Sequence, residues 1–115
     1  MSTNWQESIP DVLISDLLRD DPDMYDLVEE FVEGLRNRIG EFRAAYEKLD
    51  WDQLTALAHQ LKGAGGSYGY ADLSQLGKTM EDAFRNHAGS DFTIWIQRFE
   101  QLIDAAKAGL PDPQA

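Results

Sequence analysis

Residues 59–69 read HQLKGAGGSYG, a segment that begins as an amphipathic helix and then takes up glycine after glycine. A glycine inside a helix costs about 1 kcal/mol relative to alanine, so Gly63, Gly65 and Gly66 together forfeit about 3 kcal/mol. That loss is a sizeable part of the total stability of a domain, which is about 5–15 kcal/mol. We therefore expect these glycines to serve packing or function beside His59.

The sequence around this segment predicts helices and no strands. Apolar residues recur at intervals of three and four, and no segment alternates with a period of two between turn signals. Four long stripes result, and their members are Met24, Leu27, Val28, Phe31, Val32, Leu35, Ile39, Phe42, Tyr46 and Leu49; Leu54, Leu57, Ala58, Leu61 and Tyr68; Leu73, Leu76, Met80 and Phe84; and Phe92, Trp95, Ile96, Phe99, Leu102, Ile103 and Ala106. The stripes predict an all-α fold. Because the connections between the helices are short, neighbouring helices should be antiparallel, which gives an up-down-up-down four-helix bundle.

Local signals place the ends of these helices. Asp50 is expected to cap the second long helix, and Gly69 is expected to end it. An additional short N-terminal helix is expected to start after Pro10, with apolar positions Val12, Leu13, Leu17 and Leu18. We expect residues 1–115 to form a single domain, with residues 1–8 and 111–115 flexible.

The composition excludes several classes of function. The chain of 115 residues has a net charge of −11, the opposite of the basic footprint that nucleic-acid binding requires. Anionic membrane surfaces are disfavoured for the same reason, and no apolar run approaches a membrane span of about 18 residues. The absence of cysteine fits a reducing compartment, so we expect a cytoplasmic protein. Separately, we expect the protein to be a monomer.

The helical wheel places His59 away from the apolar stripe of its own helix. At about 100° per residue, His59 falls about 140° from the centre of that stripe, at the edge or outside of the bundle. Gly63 and Gly66 lie four and seven residues further on, on the same face, and leave the helix surface open beside the imidazole. Lys62 brings a positive charge to this face, which together with the imidazole suits a bulky anion such as a phosphoryl group. Gly65 faces inward and is expected to permit close packing of helices.

The third long helix adds two charged residues at a spacing of four. Glu81 and Arg85 lie off the centre of their apolar stripe, with Lys78 on the same flank. One interpretation is a solvated ion pair of little energetic value. The other has Glu81 accept a hydrogen bond from His59 Nδ1–H, which fixes the tautomer and leaves the Nε2 lone pair outward. Arg85 would then help to hold phosphate oxygens.

The segment from about 55 to 85 resembles the histidine-containing phosphotransfer (HPt) domains of phosphorelays. The resemblance depends on His59, Leu61, Lys62 and Gly63, then Gly69, and then Leu73, Leu76, Met80 and Glu81, in that order and spacing. Two departures lie near the helix end. Gly66 and Ser67 replace a commoner alanine and asparagine, and Tyr68 stands at a usual leucine.

The resemblance implies a role for each matching position. His59 corresponds to the phosphoacceptor, modified on Nε2, and Lys62 to the lysine beside the phosphoryl group. Gly63 corresponds to the glycine that makes room for the partner. Glu81 stands where the family carries a glutamate or glutamine oriented toward the histidine. Arg85 corresponds to a basic residue found near the site in some members.

The implied function is that of a phosphorelay intermediate. A receiver-domain aspartyl phosphate would donate its phosphoryl group to His59, and the group would pass reversibly to another receiver domain. Mg²⁺ is expected in the receiver, so no cofactor or metal is expected on this chain. There is no P-loop and no room for a kinase ATPase domain, which predicts a carrier without autokinase activity.

Two alternatives to phosphotransfer remain open from the sequence. In the first, the chain is a non-phosphorylated helical adaptor or scaffold that binds signalling partners. In the second, it is a metal-dependent enzyme that uses His59 and His87. No His-x-x-x-His or Glu-x-x-His pair supports a metal centre. We expect His87 instead to be a helix cap or a packed ring.

Overall fold

The computed structural model describes residues 9–111, which form an all-α fold with no strand in that range. The helices are α1 (Asp16–Asp20), α2 (Tyr25–Glu47), α3 (Trp51–Ser67), α4 (Ala71–Arg85) and α5 (Phe92–Ala108), with one turn of 3₁₀ helix at Pro22–Met24 before α2. Helices α2–α5 are the predicted four-helix bundle, and α1 is the predicted short N-terminal helix. The predicted flexibility of residues 1–8 and 111–115 concerns positions that, apart from residue 111, lie outside the described residues.

Helix α1 begins later than the sequence predicted. The prediction had it start after Pro10, but the structure has it start at Asp16, and Val12 is 47% exposed. The reason is that Ser15 caps the helix, because its Oγ accepts the N–H of Leu18 at 3.0 Å. The backbone before this cap follows another course, since the N–H of Leu13 donates to the carbonyl of Ala105 on α5.

The core lies between the apolar faces of the bundle helices. Among the predicted core positions, these are buried: Val28, Phe31, Val32, Leu35, Ile39, Phe42, Leu54, Leu57, Ala58, Leu61, Leu73, Leu76, Met80, Phe84, Phe92, Trp95, Ile96, Phe99, Leu102, Ile103 and Ala106. Burial of these side chains is the main source of stability for such amphipathic helices. The stripe pattern therefore identified most of the core directly.

For two residues of the first apolar stripe, the prediction that they face the core is wrong. Leu27 is 50% exposed and Leu49 is 56% exposed. Leu27 lies about 100° around the helix from the line of Val28 and Leu35, so it falls on the side of the helix. Leu49 follows the end of α2 and has a φ of +50°, which turns its side chain away from the stripe.

The ends of α3 follow the predicted signals. The carboxylate of Asp50 accepts the N–H of Gln53 at 3.1 Å and caps the helix. At the other end Gly69 has a φ of +85°, a backbone conformation that glycine adopts without steric cost. Within the helix Gly65 is buried, and a Cβ placed on it would lie 2.7 Å from the backbone nitrogen of Ser74 on α4. Gly65 is thus a packing glycine, as predicted.

Candidate functional site

His59 lies near the middle of α3 with its side chain 64% exposed, outside the packed core. Gly63 follows one turn later, and a Cβ built on it would meet nothing within 4 Å. A Cβ on Gly66 would meet only the Ser74 hydroxyl, at 3.7 Å. The surface beside the imidazole is therefore open, and the absence of side chains at these two glycines keeps it so.

Glu81 on α4 is the centre of a cluster of charged groups beneath the imidazole. Its side chain is only 1% exposed. Oε2 lies 2.9 Å from His59 Nδ1 and 2.8 Å from Arg85 Nη2, and Oε1 lies 2.9 Å from Lys62 Nζ. Both oxygens of one buried carboxylate are thus engaged by three side chains, which satisfies the general requirement that a buried charge be paired.

The protonation state of Glu81 follows from these contacts. The hydrogen bond from Lys62 holds the pKa of the Glu81 carboxyl below its usual range, although desolvation by burial acts in the opposite direction. The hydrogen bond from His59 and the charges of Arg85 and Lys62 lower the pKa further. The carboxyl group is therefore ionised at neutral pH.

An ionised carboxylate determines the tautomer of the neutral imidazole. Because a carboxylate can only accept hydrogen bonds, the nitrogen that faces it, His59 Nδ1, must carry the proton. The other ring nitrogen, Nε2, then holds the lone pair. The ring is held by Glu81 on its inner side, so its nucleophilic nitrogen is the one that remains for a partner on the open surface.

The charge of the site favours an anion. With a neutral imidazole, the cations of Lys62 and Arg85 outnumber the single carboxylate of Glu81, which leaves one net positive charge in a chain whose total is −11. The Lys62 and Arg85 side chains are 36% and 61% exposed, so both remain accessible to a ligand. This local excess of positive charge is suited to a phosphoryl group, which such donors hold through charge-assisted hydrogen bonds.

The structure brings together His59, Lys62, Glu81 and Arg85, and it leaves Lys78 aside. Lys78 pairs with Asp82 at 3.1 Å on the exposed side of α4. Two properties of the cluster were missed from the sequence, namely the burial of Glu81 and its contact with Lys62. The only available signal was that Glu81 lies about 95° from the centre of its stripe, a flank that becomes buried only where another helix comes close.

One face of the His87 ring packs on Trp51, in line with the expected packed ring, while the residue itself is exposed. Its imidazole stacks on Trp51, with ring centroids 5.4 Å apart and an interplanar angle of 9°. It follows the end of α4 and has a φ of +54°. Within residues 9–111, no three His, Asp or Glu side chains are grouped so that they could hold one metal ion.

Comparisons with known proteins give one match. A family model described as the Hpt domain matches residues 26–109, which include α2 from its second residue, α3 to α5 and all four residues of the cluster. The comparisons with curated proteins and with solved structures gave no significant match. In the described part of the chain, no helix is both long enough and apolar enough to span a bilayer.

Proposed function

The chain belongs to the Hpt domain family, whose members carry out histidine phosphotransfer in two-component phosphorelays, and from this we propose that His59 is the residue that carries the phosphoryl group. The donor is the aspartyl phosphate of a receiver domain, and the acceptor is the aspartate of a second receiver. The observation that supports this most is the exposed imidazole of His59 held at Nδ1 by the buried Glu81.

The transfer is a displacement at phosphorus. The Nε2 lone pair of neutral His59 attacks the phosphorus atom, and the bond from phosphorus to the aspartyl oxygen breaks. The aspartate leaves as a carboxylate with the electron pair of that bond. The ring gains the Nε2–P bond, keeps its Nδ1 proton and becomes positively charged. The reverse reaction, with a second aspartate as nucleophile, returns the ring to the neutral form.

Each charged neighbour has a part in this step. Glu81 accepts the Nδ1–H bond throughout, so its negative charge stabilises the positive charge that develops on the ring. Lys62 and Arg85 offer cations to the phosphoryl oxygens. Gly63 and Gly66 leave room for the receiver to bring its aspartyl phosphate to Nε2. The chain supplies no nucleotide site in this scheme, and Mg²⁺ belongs to the receiver. We also propose that the chain is cytoplasmic and that it acts as a monomer. Sedimentation of the purified protein tests the oligomeric state.

Transfer from a phosphorylated receiver tests the proposal. Receiver domains are loaded with labelled phosphate by a small acyl phosphate and mixed with the chain, and the label that moves to the chain is tested for acid lability and alkali stability. His59→Gln should abolish uptake, and His87→Gln is the matched control, since these are the two histidines of the chain. If receivers bind but no label moves to the wild-type chain, the protein is an adaptor and not a carrier.

A further inference from the structure

The backbones of α3 and α4 touch at Gly77, directly beneath the histidine site. A Cβ built on Gly77 would lie 2.5 Å from the backbone nitrogen of Lys62 and 2.9 Å from both Lys62 Cα and the carbonyl oxygen of Ala58. All of these atoms belong to the main chain, so none can rotate out of the way. Only glycine permits this approach of the two helices.

The position of this contact relates it to the functional cluster. The N–H of Lys62 and the carbonyl of Ala58 are four residues apart in α3, at the two ends of one helical hydrogen bond. His59 is the residue after Ala58, and Lys62 is itself part of the cluster. On α4, Gly77 precedes Glu81 by four residues and therefore lies one turn away on the same face. The contact thus joins the two segments that carry His59 and Glu81.

We propose that Gly77 is a positioning residue of the histidine site. By allowing α4 to lie against the main chain of α3, it brings the Glu81 carboxylate within hydrogen-bond distance of His59 Nδ1 and Lys62 Nζ, and so fixes the imidazole tautomer. The effect of Gly77 on phosphotransfer rests on the proposed function, whereas its effect on the tautomer does not.

The distances indicate how sensitive the cluster is to this contact. Ordinary van der Waals contact begins at 3.4 Å, so a methyl group at position 77 requires α4 to move by about 1 Å from the Lys62 nitrogen. Carried in full to the Glu81 carboxylate, the same movement would lengthen its 2.9 Å contacts with His59 and Lys62 to about 3.9 Å, beyond the range of a hydrogen bond. Arg85 shares α4 with Glu81, so their contact would survive the movement.

Gly77→Ala tests this inference in a background that keeps the chain folded. Gly34 and Gly40 on α2 both have open space where a Cβ would be, so Gly34→Ala and Gly40→Ala should strengthen that helix without new contacts. The triple variant is compared with the Gly34→Ala/Gly40→Ala parent. Long-range ¹H–¹⁵N correlation spectra at about pH 8, where a free imidazole is neutral, report which nitrogen of His59 carries the proton.

The parent should show the Nδ1–H tautomer, and in the triple variant its ratio to the Nε2–H tautomer should fall about tenfold. Uptake of phosphate from a receiver should fall about tenfold or more, as is usual when the partner that orients a reactive group is lost. An unchanged tautomer ratio in the folded triple variant would overturn the inference even if the wild type transfers phosphate. A triple variant that does not fold would make Gly77 a determinant of folding, which equally contradicts the positioning role.

Discussion

Oε2 of Glu81 lies 2.9 Å from Nδ1 of His59 and joins a carboxylate that is 1% exposed to an imidazole that is 64% exposed. This single contact connects the packed interior of the bundle with its open surface. It determines which ring nitrogen carries the proton, and it places a negative charge where the ring becomes positive during transfer.

Replacing Glu81 should cost more stability than replacing the carboxylate beside it. Glu81→Ala removes charge-assisted hydrogen bonds with three partners, and we expect the free energy of unfolding to fall by about 1–3 kcal/mol. Asp82→Ala is the matched control, because the exposed Asp82 carboxylate pairs within residues 9–111 only with Lys78, so its effect should stay below about 0.5 kcal/mol. Urea unfolding measures both, and equal losses would contradict the buried network.

The network should also make stability depend on pH in the acid range. The pKa of Glu81 in the folded chain lies below its ordinary value of 4.5, chiefly because Lys62 donates a hydrogen bond to the carboxylate. A lowered pKa means that this contribution is fully present above pH 4.5 and is lost as the pH falls through the folded-state value. Unfolding free energies between pH 7 and pH 3 should therefore fall less steeply in Glu81→Gln than in the wild type. Identical slopes would show that Glu81 is not coupled to folding.

The burial of the Tyr70 phenol predicts that the chain loses stability at alkaline pH. It is 2% exposed, and burial raises its pKa from 10.0 to about 12. The folded state therefore favours the neutral phenol, whose contribution is present below pH 10 and is lost as the pH rises toward 12. Tyr70→Phe should remove this part of the alkaline loss, which urea unfolding at successive pH values detects. If the variant loses stability as steeply as the wild type, another group is responsible.

Gly63→Ala should increase the stability of the chain and decrease its rate of phosphate uptake. The added methyl group meets nothing within 4 Å and improves the helix, so the free energy of unfolding should rise by up to about 1 kcal/mol. The same group projects from the open surface beside His59, so the rate of phosphate uptake from a receiver should fall.

Gly40→Ala is the control for this prediction. Gly40 also has open space for a Cβ but lies on α2, so the variant should gain similar stability and keep the wild-type rate of uptake. A Gly63→Ala protein with unchanged uptake would show that the glycine is not required for the partner to approach.

The helical pattern predicted the fold because burial in a bundle follows the periodicity of each helix. The stripes identified nearly all buried positions, and Asp50 and Gly69 marked the ends of α3. Leu49 and the start of α1 failed because the chain leaves a regular helix there, and Leu27 failed because it lies on the flank of α2. Helix α1 starts at Asp16 because Ser15 caps it, and a local cap of this kind is not part of the apolar stripe.

Helical periodicity also predicted part of the site. A helical wheel gives the face on which His59 and Glu81 lie, and their contact followed from the chemistry that each offers. The wheel does not give the distance between two helices, so the burial of Glu81 and its contact with Lys62 were missed. That distance depends on Gly65 and Gly77, whose close contacts are visible only when the atoms of the facing helix lie against them.

The position of the phosphoryl group tests the central claim most directly. The chain, labelled with ¹⁵N in its imidazole rings, is phosphorylated by a receiver domain, and the ³¹P–¹⁵N coupling identifies the nitrogen that is bonded to phosphorus. We predict a coupling to Nε2 of His59 in the wild type and in His87→Gln, and none in His59→Gln. Phosphate on any other residue, or a phosphorylated His59→Gln chain, would contradict the assignment of His59 as the carrier.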